Sequence, residues 1–597
     1  MISRLVHWSL ANRLVVYAIA ALLTVWGAFV ALRTPVDVLP DLTAPTVQVV
    51  VDAHGYTPTE VEQLVTLPLE TALNGAPGLR RIRSNSTTGL AVVTLEFDWS
   101  TDPTEARRVV SERLGAAAGG LPEDLPPPVM APASSVMGEI MFVALRSEAH
   151  TPTELKSVAD WTVRRRLLAV PGVAEVMTIG GDERQVQLIV DAGRMSARGV
   201  GINDVVEALS AASANRSAGV VVQNGQELLV EGVGRATHPD DFGDVVVGEQ
   251  GGVPVLARDV GDVRIGEGLK RGTGSYNGQP AVIFAIQKQP SANTLALTEE
   301  LDQVFADVQR SLPEGMKLET QVFRQADFVE RAVDNVVKAL IEGLVLVSII
   351  VLVFLASWRA TLVTLAAIPV SVVAALLAVN AVGGTINTMT LGGIAIALGV
   401  LVDDAIIVVE NIVRRLRLER EKPDAERRSA LKIVGDATVE VQGSIVFATL
   451  IILLVFLPLF GLTGIEGRLL QPLALAYGVA LLASLAVALT LTPVLGLDVL
   501  SRSERALGRE PRWVHQMKSA YARQLGGLLP RWRLLAGVSV ALVIVAGVGL
   551  ALSGRAFLPE FNEGSLTVNV TTLPGTSLEA SDAAAAQVEA AMLAQPE

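Results

Sequence analysis

The chain has no cysteine in 597 residues, which excludes disulfide bonds and thiolate metal sites. Histidine is scarce, and its five copies show no metal-ligand spacing. Positive charge is outweighed: 48 Lys and Arg stand against 61 Asp and Glu, a net charge of −13 that argues against nucleic acid as a partner. The first apolar run is too long, and too poorly followed by small residues, to read as a cleaved signal peptide.

Long apolar runs, by contrast, are abundant. Half of the residues are hydrophobic and the mean hydropathy is +0.46. A helix needs roughly 20 mostly apolar residues to cross a hydrocarbon core about 30 Å thick. Residues 13–32, 336–357, 361–382, 389–413, 441–462, 470–497 and 534–553 meet that length, which predicts seven spans. Arg414, Arg415, Arg417, Arg420, Lys422, Arg427, Arg428 and Lys432 follow the fourth. Arg502, Arg505, Arg509, Arg512, Lys518, Arg523, Arg531 and Arg533 follow the sixth. Loops this basic stay in the cytoplasm, so residues 33–335 are expected outside. Trp8, Trp358 and Trp532 then lie near cytoplasmic ends, where interfacial indoles belong.

The large external stretch contains a repeat. Thr57-Pro58-Thr59-Glu60 is a capping box with proline at the first helical position, and Pro77-Gly78 stops the helix twenty positions on. The same spacing runs from Asp102 to Pro122, from Thr151 to Pro171 and, with a weaker cap, from Asn293 to Pro313. Strand-like runs at 46–52, 90–99, 139–145, 185–191 and 281–287 flank these helices. Two strand–helix–strand units joined give βαββαβ, the ferredoxin-like pattern. The first pair is contiguous, and the second is split by a Gly- and Val-rich insert between Asp191 and Ala281. A fifth unit starts at Thr576-Ser577-Leu578-Glu579 and reaches Pro596 without its return strand, which reads as a truncation.

The fourth predicted span carries Asp403 and Asp404 side by side. Asp403 precedes Arg414 by eleven residues, about 16 Å along a helix and so near mid-bilayer. Each aspartate at that depth costs about 2.5–3.5 kcal/mol on insertion scales. Neighbouring helical positions differ by about 100°, so the two cannot share one environment. In low dielectric, desolvation and mutual repulsion disfavour a doubly charged pair, and protons are then readily taken up and released. The bland alternative, a static pair neutralised by a neighbouring Lys or Arg, lacks such a residue at matching depth in the other six runs. Glu410, seven residues on, is a candidate exit station or a snorkelling interfacial acid. Glu342, near the outer end of the second span, is equally open to both readings. Gly392, Gly393 and Gly399 offer close helix packing around the pair.

Several segments together resemble the resistance-nodulation-division (RND) efflux pumps, in particular their heavy-metal branch of Cus- and Czc-type exporters. They are Thr34-Pro-Val-Asp-Val-Leu-Pro-Asp41, Glu70-Thr-Ala-Leu-Asn-Gly-Ala-Pro-Gly78, Val402-Asp-Asp-Ala-Ile-Ile-Val-Val-Glu-Asn411 and Leu489-Thr-Leu-Thr-Pro493. The resemblance covers the whole chain. It implies an α-helical polytopic membrane protein with a large α+β periplasmic region, built from ferredoxin-like porter subdomains and an inserted docking subdomain. It further implies a homotrimer in the bacterial inner membrane, in contact with lipid and working with a periplasmic adaptor and an outer-membrane channel. No cofactor and no enzymatic step are expected, since the proton gradient supplies the energy and the metal ion is cargo.

On that pattern, residues 1–32 form the cytoplasmic N-terminus and first span, 33–135 the first porter subdomain, and 136–191 with 281–335 the second. Residues 192–280 form the docking insert, 336–500 spans two to six, 501–533 a cytoplasmic amphipathic segment, 534–553 the seventh span and 554–597 the start of a second periplasmic loop. Asp403 matches the aspartate common to the branch, and Asp404 a second one seen in multidrug relatives. A third acidic position of some Czc-type members reads Ala397. Methionine positions of copper and silver members read Leu401, Val408 and Asn569, which favours harder divalent ions such as Zn, Co, Cd or Ni. Glu139 is a candidate metal-entry carboxylate, although a strand-edge Glu is the commoner meaning. Met137 and Met141 beside it read as core. The alternatives are a multidrug or Cu(I)/Ag(I) exporter and a non-transporting remnant or scaffold half. An intramembrane aspartyl protease is a further alternative, disfavoured because no Gly-x-Gly-Asp motif is present.

Overall fold

The computed structural model describes residues 2–40, 42, 44–133, 138–212, 214–236, 238–270, 272–290, 292–423, 427–501, 512–554, 565–573 and 575–595. Asp41, Met137, Arg502, Arg505, Arg509 and the expected helix stop Pro596 lie outside the described residues. The chain divides into two compact units, one of residues 1–140, 288–298 and 325–566, the other of residues 141–287, 299–324 and 567–597.

Among the described residues the first unit holds seven helices long and apolar enough to cross a membrane. The spans are Arg13–Ala31, Gln325–Leu355, Trp358–Ala381, Thr388–Arg420, Ala430–Gly461, Gly464–Leu500 and, after an amphipathic helix Arg512–Leu528, Trp532–Leu552. The second and fifth helices start eleven residues before their apolar runs, because polar helix continues beyond the bilayer-length stretch without a loop. The fourth and sixth spans are the most enclosed, with half of their apolar windows buried.

The same unit carries a small α+β layer. Strand β1 (Thr46–Asp52) pairs antiparallel with β3 (Leu90–Phe97) and with β4 (Val129–Met130), while β2 (Leu79–Thr87) pairs with β3. The sheet order is β2-β3-β1-β4, the arrangement a βαββαβ chain produces. Alternate residues of β1 and β3 point into one core, where Val49, Val51, Val93, Leu95 and Phe97 pack on Leu69, Leu73 and Val110 from the two helices. Thr57 caps the first helix reciprocally with Glu60. Asp102 caps the second through the amides of Thr104 and Glu105.

The second unit repeats the order. Strands β5 (Glu139–Ser147), β6 (Val173–Ile179), β9 (Val282–Lys288) and β10 (Met316–Arg324) lie as β10-β5-β9-β6. Thr151 and Glu154 form the reciprocal cap of its first helix, and Asn293 accepts from the amides of Leu295 and Ala296 at its second.

Two expectations need correction here. The strand expected at 185–191 does not close this sheet: β7 (Arg184–Val190) pairs with β8 (Gly261–Glu267) at the root of the insert, and β6 takes the closing place. The fifth helix, Leu578–Leu593, is capped by Ser577 rather than Thr576, whose hydroxyl donates to the Leu573 carbonyl instead.

Candidate functional site in the fourth span

The fourth span begins at a tight cap. Asn387 accepts from the amides of Met389 and Thr390, and its own amide donates to the Thr390 hydroxyl at 2.8 Å. From there the helix runs unbroken through the Asp pair to Arg420.

Its glycines do not share one role. A Cβ on Gly393 would stand 2.5 Å from the carbonyl oxygen of Leu473, so this glycine lets the fourth and sixth helices touch backbone to backbone. Gly392 and Gly399 face open space, and for them the packing expectation fails. Gly399 lines an apolar cavity of 450 Å³ together with Gly343, Val347, Ile368, Leu398 and Val402.

The two aspartates lie in different surroundings, as a 100° step requires. Asp404 is 7% exposed and belongs to a buried stripe with Ala397, Leu401, Val408 and Asn411. Asp403 lies on the open face with Ile396, Gly399, Ile407, Glu410 and Arg414. The three positions where resemblance placed an acid or methionines in relatives, 397, 401 and 408, thus line the same buried stripe as Asp404.

Among the described residues no donor reaches the buried Oδ2 of Asp404. A buried oxygen left this way loses the hydrogen bonds water gave it, about 1–3 kcal/mol and more for a charged group. A proton held on the carboxyl lowers the charged part of that cost, and a donor from another segment removes it.

Acids near the helix ends are treated differently. Asp498, at the end of the sixth helix, accepts from Arg13 at 2.7 Å and from the Tyr17 hydroxyl at 3.1 Å. Glu440, just before the apolar run of the fifth, pairs with Arg415 at 2.8 Å and accepts from the buried Asn411 amide at 3.1 Å. Asn411 also donates to the Ala437 carbonyl and accepts from Arg414. Glu440 is a residue that sequence reading missed, since it falls one position outside the apolar run of its span. Its signal was Asn411, whose amide two turns beyond Asp404 needs an acceptor.

The secondary candidates stand apart from the pair. Glu410 is exposed, on the Asp403 face and two turns away. Glu342 is exposed on the second helix, whose cavity-lining face runs through Val336, Leu340, Gly343 and Val347. Glu139 is exposed at the first position of β5, and Met141 is fully buried in the core as expected. No group of three or more His, Asp or Glu comes together to hold a metal ion among the described residues.

The family model described as AcrB/AcrD/AcrF matches residues 5–597. The chain belongs to that family. A solved structure described as a heavy metal efflux pump, crystal form I, superposes with a TM-score of 0.85 at 30% identity over 99% of this chain and 57% of that one. The cation efflux system protein CzcA of Alcaligenes sp. (strain CT14) is 34% identical over 97% of this chain and 55% of its own length. CusA of Escherichia coli K12 is 32% identical, with 97% and 56% covered. The nickel and cobalt resistance protein CnrA of Cupriavidus metallidurans is 30% identical, with 100% and 58% covered. The chain spans about half the length of these relatives. The RND resemblance, its heavy-metal branch and the α+β porter fold therefore hold for this family member, a membrane protein.

Proposed function

We propose that this chain supplies one proton-carrying half of a secondary exporter that drives heavy-metal cations out of the cell against an inward flow of protons. The single observation that supports this reading most is the buried Asp404, whose Oδ2 meets no donor among the described residues, beside the open Asp403 near the middle of a spanning helix. A pair with one member enclosed and the other facing outward gives a proton two different environments one residue apart. Asp403 and Asp404 are the relay residues in this reading, with Glu410 as a station toward the basic cytoplasmic end and Glu342 as a weaker one.

The cargo is a divalent ion of the Zn, Co, Cd or Ni type. Leu401 and Val408 offer no thioether on the Asp404 stripe, which disfavours soft Cu(I) and Ag(I). Glu139 is the proposed entry carboxylate. In a pump of the relatives' full length the chain works without cofactor or covalent chemistry. It acts as a homotrimer in the inner membrane, with its α+β units in the periplasm, joined to an adaptor and an outer-membrane channel.

The test is transport by the full-length pump reconstituted with a proton gradient. Asp403→Asn and Asp404→Asn should each abolish metal-coupled proton flux while trimer assembly is kept. Retained coupling in both variants overturns the relay. Protection of a sensitised host against Cu and Ag alone overturns the divalent cargo.

A further inference from the structure

The chain leaves the first span through residues 34–38, and this segment is stitched to the head of the fourth span. The Ile386 amide donates to the Pro35 carbonyl at 2.9 Å, and the Asp37 amide donates to the Ile386 carbonyl at 3.0 Å. Thr388 donates to the Val38 carbonyl twice, through its amide at 3.0 Å and its hydroxyl at 2.6 Å. Together these bonds make a short parallel ladder with Val36 opposite Ile386. Thr388 is the first residue of the helix that holds the Asp pair, and that helix runs unbroken for about four turns to Asp403.

Asp37 makes the segment's other attachment. Its Oδ1 accepts from Lys288 at 2.9 Å and from the Thr294 hydroxyl at 2.7 Å. Lys288 is the last residue of β9, and Thr294 is the first of the helix Thr294–Ser311. All of these contacting residues fall within the first unit.

A loop that only had to be held down needs no charge, and Val38 and Pro40 are already buried in this one. Charge-assisted hydrogen bonds are stronger than neutral ones and depend on direction. A displacement of Asp37 is therefore passed on to Lys288 and Thr294 rather than absorbed. The input lies at the Asp pair, because a charge that appears in an enclosed place is costly until the helix moves it toward water or a donor.

We propose that residues 34–38 form a coupling strap, with Asp37 and Lys288 as positioning residues for export. A shift of the fourth span that follows proton exchange at Asp403 and Asp404 passes along the ladder to Asp37, and from there to β9 and the helix Thr294–Ser311. The strap rests on the relay reading, since proton exchange is its input.

The test is a cycle of variants in the full-length pump, on a background without other cysteines. Spin labels at Glu300→Cys and Val382→Cys, both exposed positions, report the distance between that helix and the end of the third span. Asp403→Asn with Asp404→Asn removes the charge of the pair and mimics its protonated form. With the strap intact, this change should shift the distance distribution. Asp37→Asn with Lys288→Met strands no buried charge and leaves one neutral hydrogen bond from Thr294 in place of the charged grip. In that background the shift should fall to less than about half, at a melting midpoint close to the parent's. Thr388→Val, which removes one tie of the ladder, should also reduce the shift, and Thr388→Ser should keep it. Metal export by the strap variants should fall with the shift while the melting midpoint holds, which a merely structural contact would not produce. A full shift in Asp37→Asn with Lys288→Met overturns the strap. If that variant melts well below the parent, equal shifts in Thr388→Val and Thr388→Ser overturn it instead. No shift with the strap intact also overturns it. Failure of the relay is read on a different signal, proton flux retained by the single Asn variants, so the two failures stay distinct.

Discussion

The Ser484 hydroxyl donates to the main-chain carbonyl of Leu401 at 3.0 Å, three residues before Asp404. It ties the sixth span to the fourth within one turn of the buried carboxylate, and the Gly393–Leu473 backbone contact ties them again further up. The unpartnered oxygen of Asp404 therefore sits in a well-fastened wall. If the carboxylate serves no structural bond, an apolar side chain should suit this wall at least as well. Asp404→Val, continuing the stripe of Leu401 and Val408, should leave heat stability in detergent unchanged or raise it by up to about 2 kcal/mol. A clear fall in the melting midpoint would show that Asp404 is held by structure.

The glycines give a sharper contrast. Gly393→Val places branched carbon where the Leu473 carbonyl already stands, and two helix backbones must part to admit it. Overpacking of this kind costs about 1–3 kcal/mol, read as a lower melting midpoint. Gly392→Ala and Gly399→Ala meet open space and should stay within about 0.5 kcal/mol of the parent. Equal losses at all three would sink this account of the helix contact.

The capping boxes carry a pH signature. The Thr57 amide holds the Glu60 carboxylate below its ordinary range, and the Thr151 amide does the same for Glu154, with the threonine hydroxyls adding to each. A carboxylate depressed in the folded state contributes stability above its unfolded value and loses it as pH falls through the folded one. Glu154→Gln and Glu60→Gln should therefore melt below the parent at neutral pH. The gap should close as pH falls to about 3, below the ordinary carboxylate range. A gap independent of pH between those limits would refute the charged cap.

Legibility in the sequence followed burial. The strands that alternation revealed, β1, β3, β5 and β9, are the central ones of their sheets. The ones it missed in these two four-stranded sheets, β2, β4, β6 and β10, are all edges. An edge strand keeps polar side chains on much of its surface, as Arg80, Arg81, Arg83 and Asn85 do on β2, so the period of two is erased where pairing is one-sided. The same reason explains β7, whose apolar residues suit a central strand but belong to a two-stranded root. In the fourth span, depth and cost of the Asp pair were legible from spacing alone. Which aspartate is enclosed was not, because a helical step gives directions and only the neighbouring helices decide which direction is covered.

One buried ion pair lies outside the membrane helices and offers a test of how the loop after the first span is held. The Lys288 ammonium donates to Asp37 at 2.9 Å, to the Thr294 hydroxyl at 2.8 Å and to the Ala292 carbonyl at 3.2 Å, while Thr294 itself donates to Asp37 at 2.7 Å. The Lys288 side chain is only 8% exposed and that of Asp37 20%. Removing one charge strands the other, which costs about 3–5 kcal/mol for a buried pair, whereas removing both together costs far less. Lys288→Met and Asp37→Asn alone should each lower heat stability strongly. The double variant should recover most of the loss, because Thr294 can still donate to the amide oxygen that takes the place of the carboxylate. If the double variant loses the sum of the two single changes, the charges act independently and the pair does not fasten this loop.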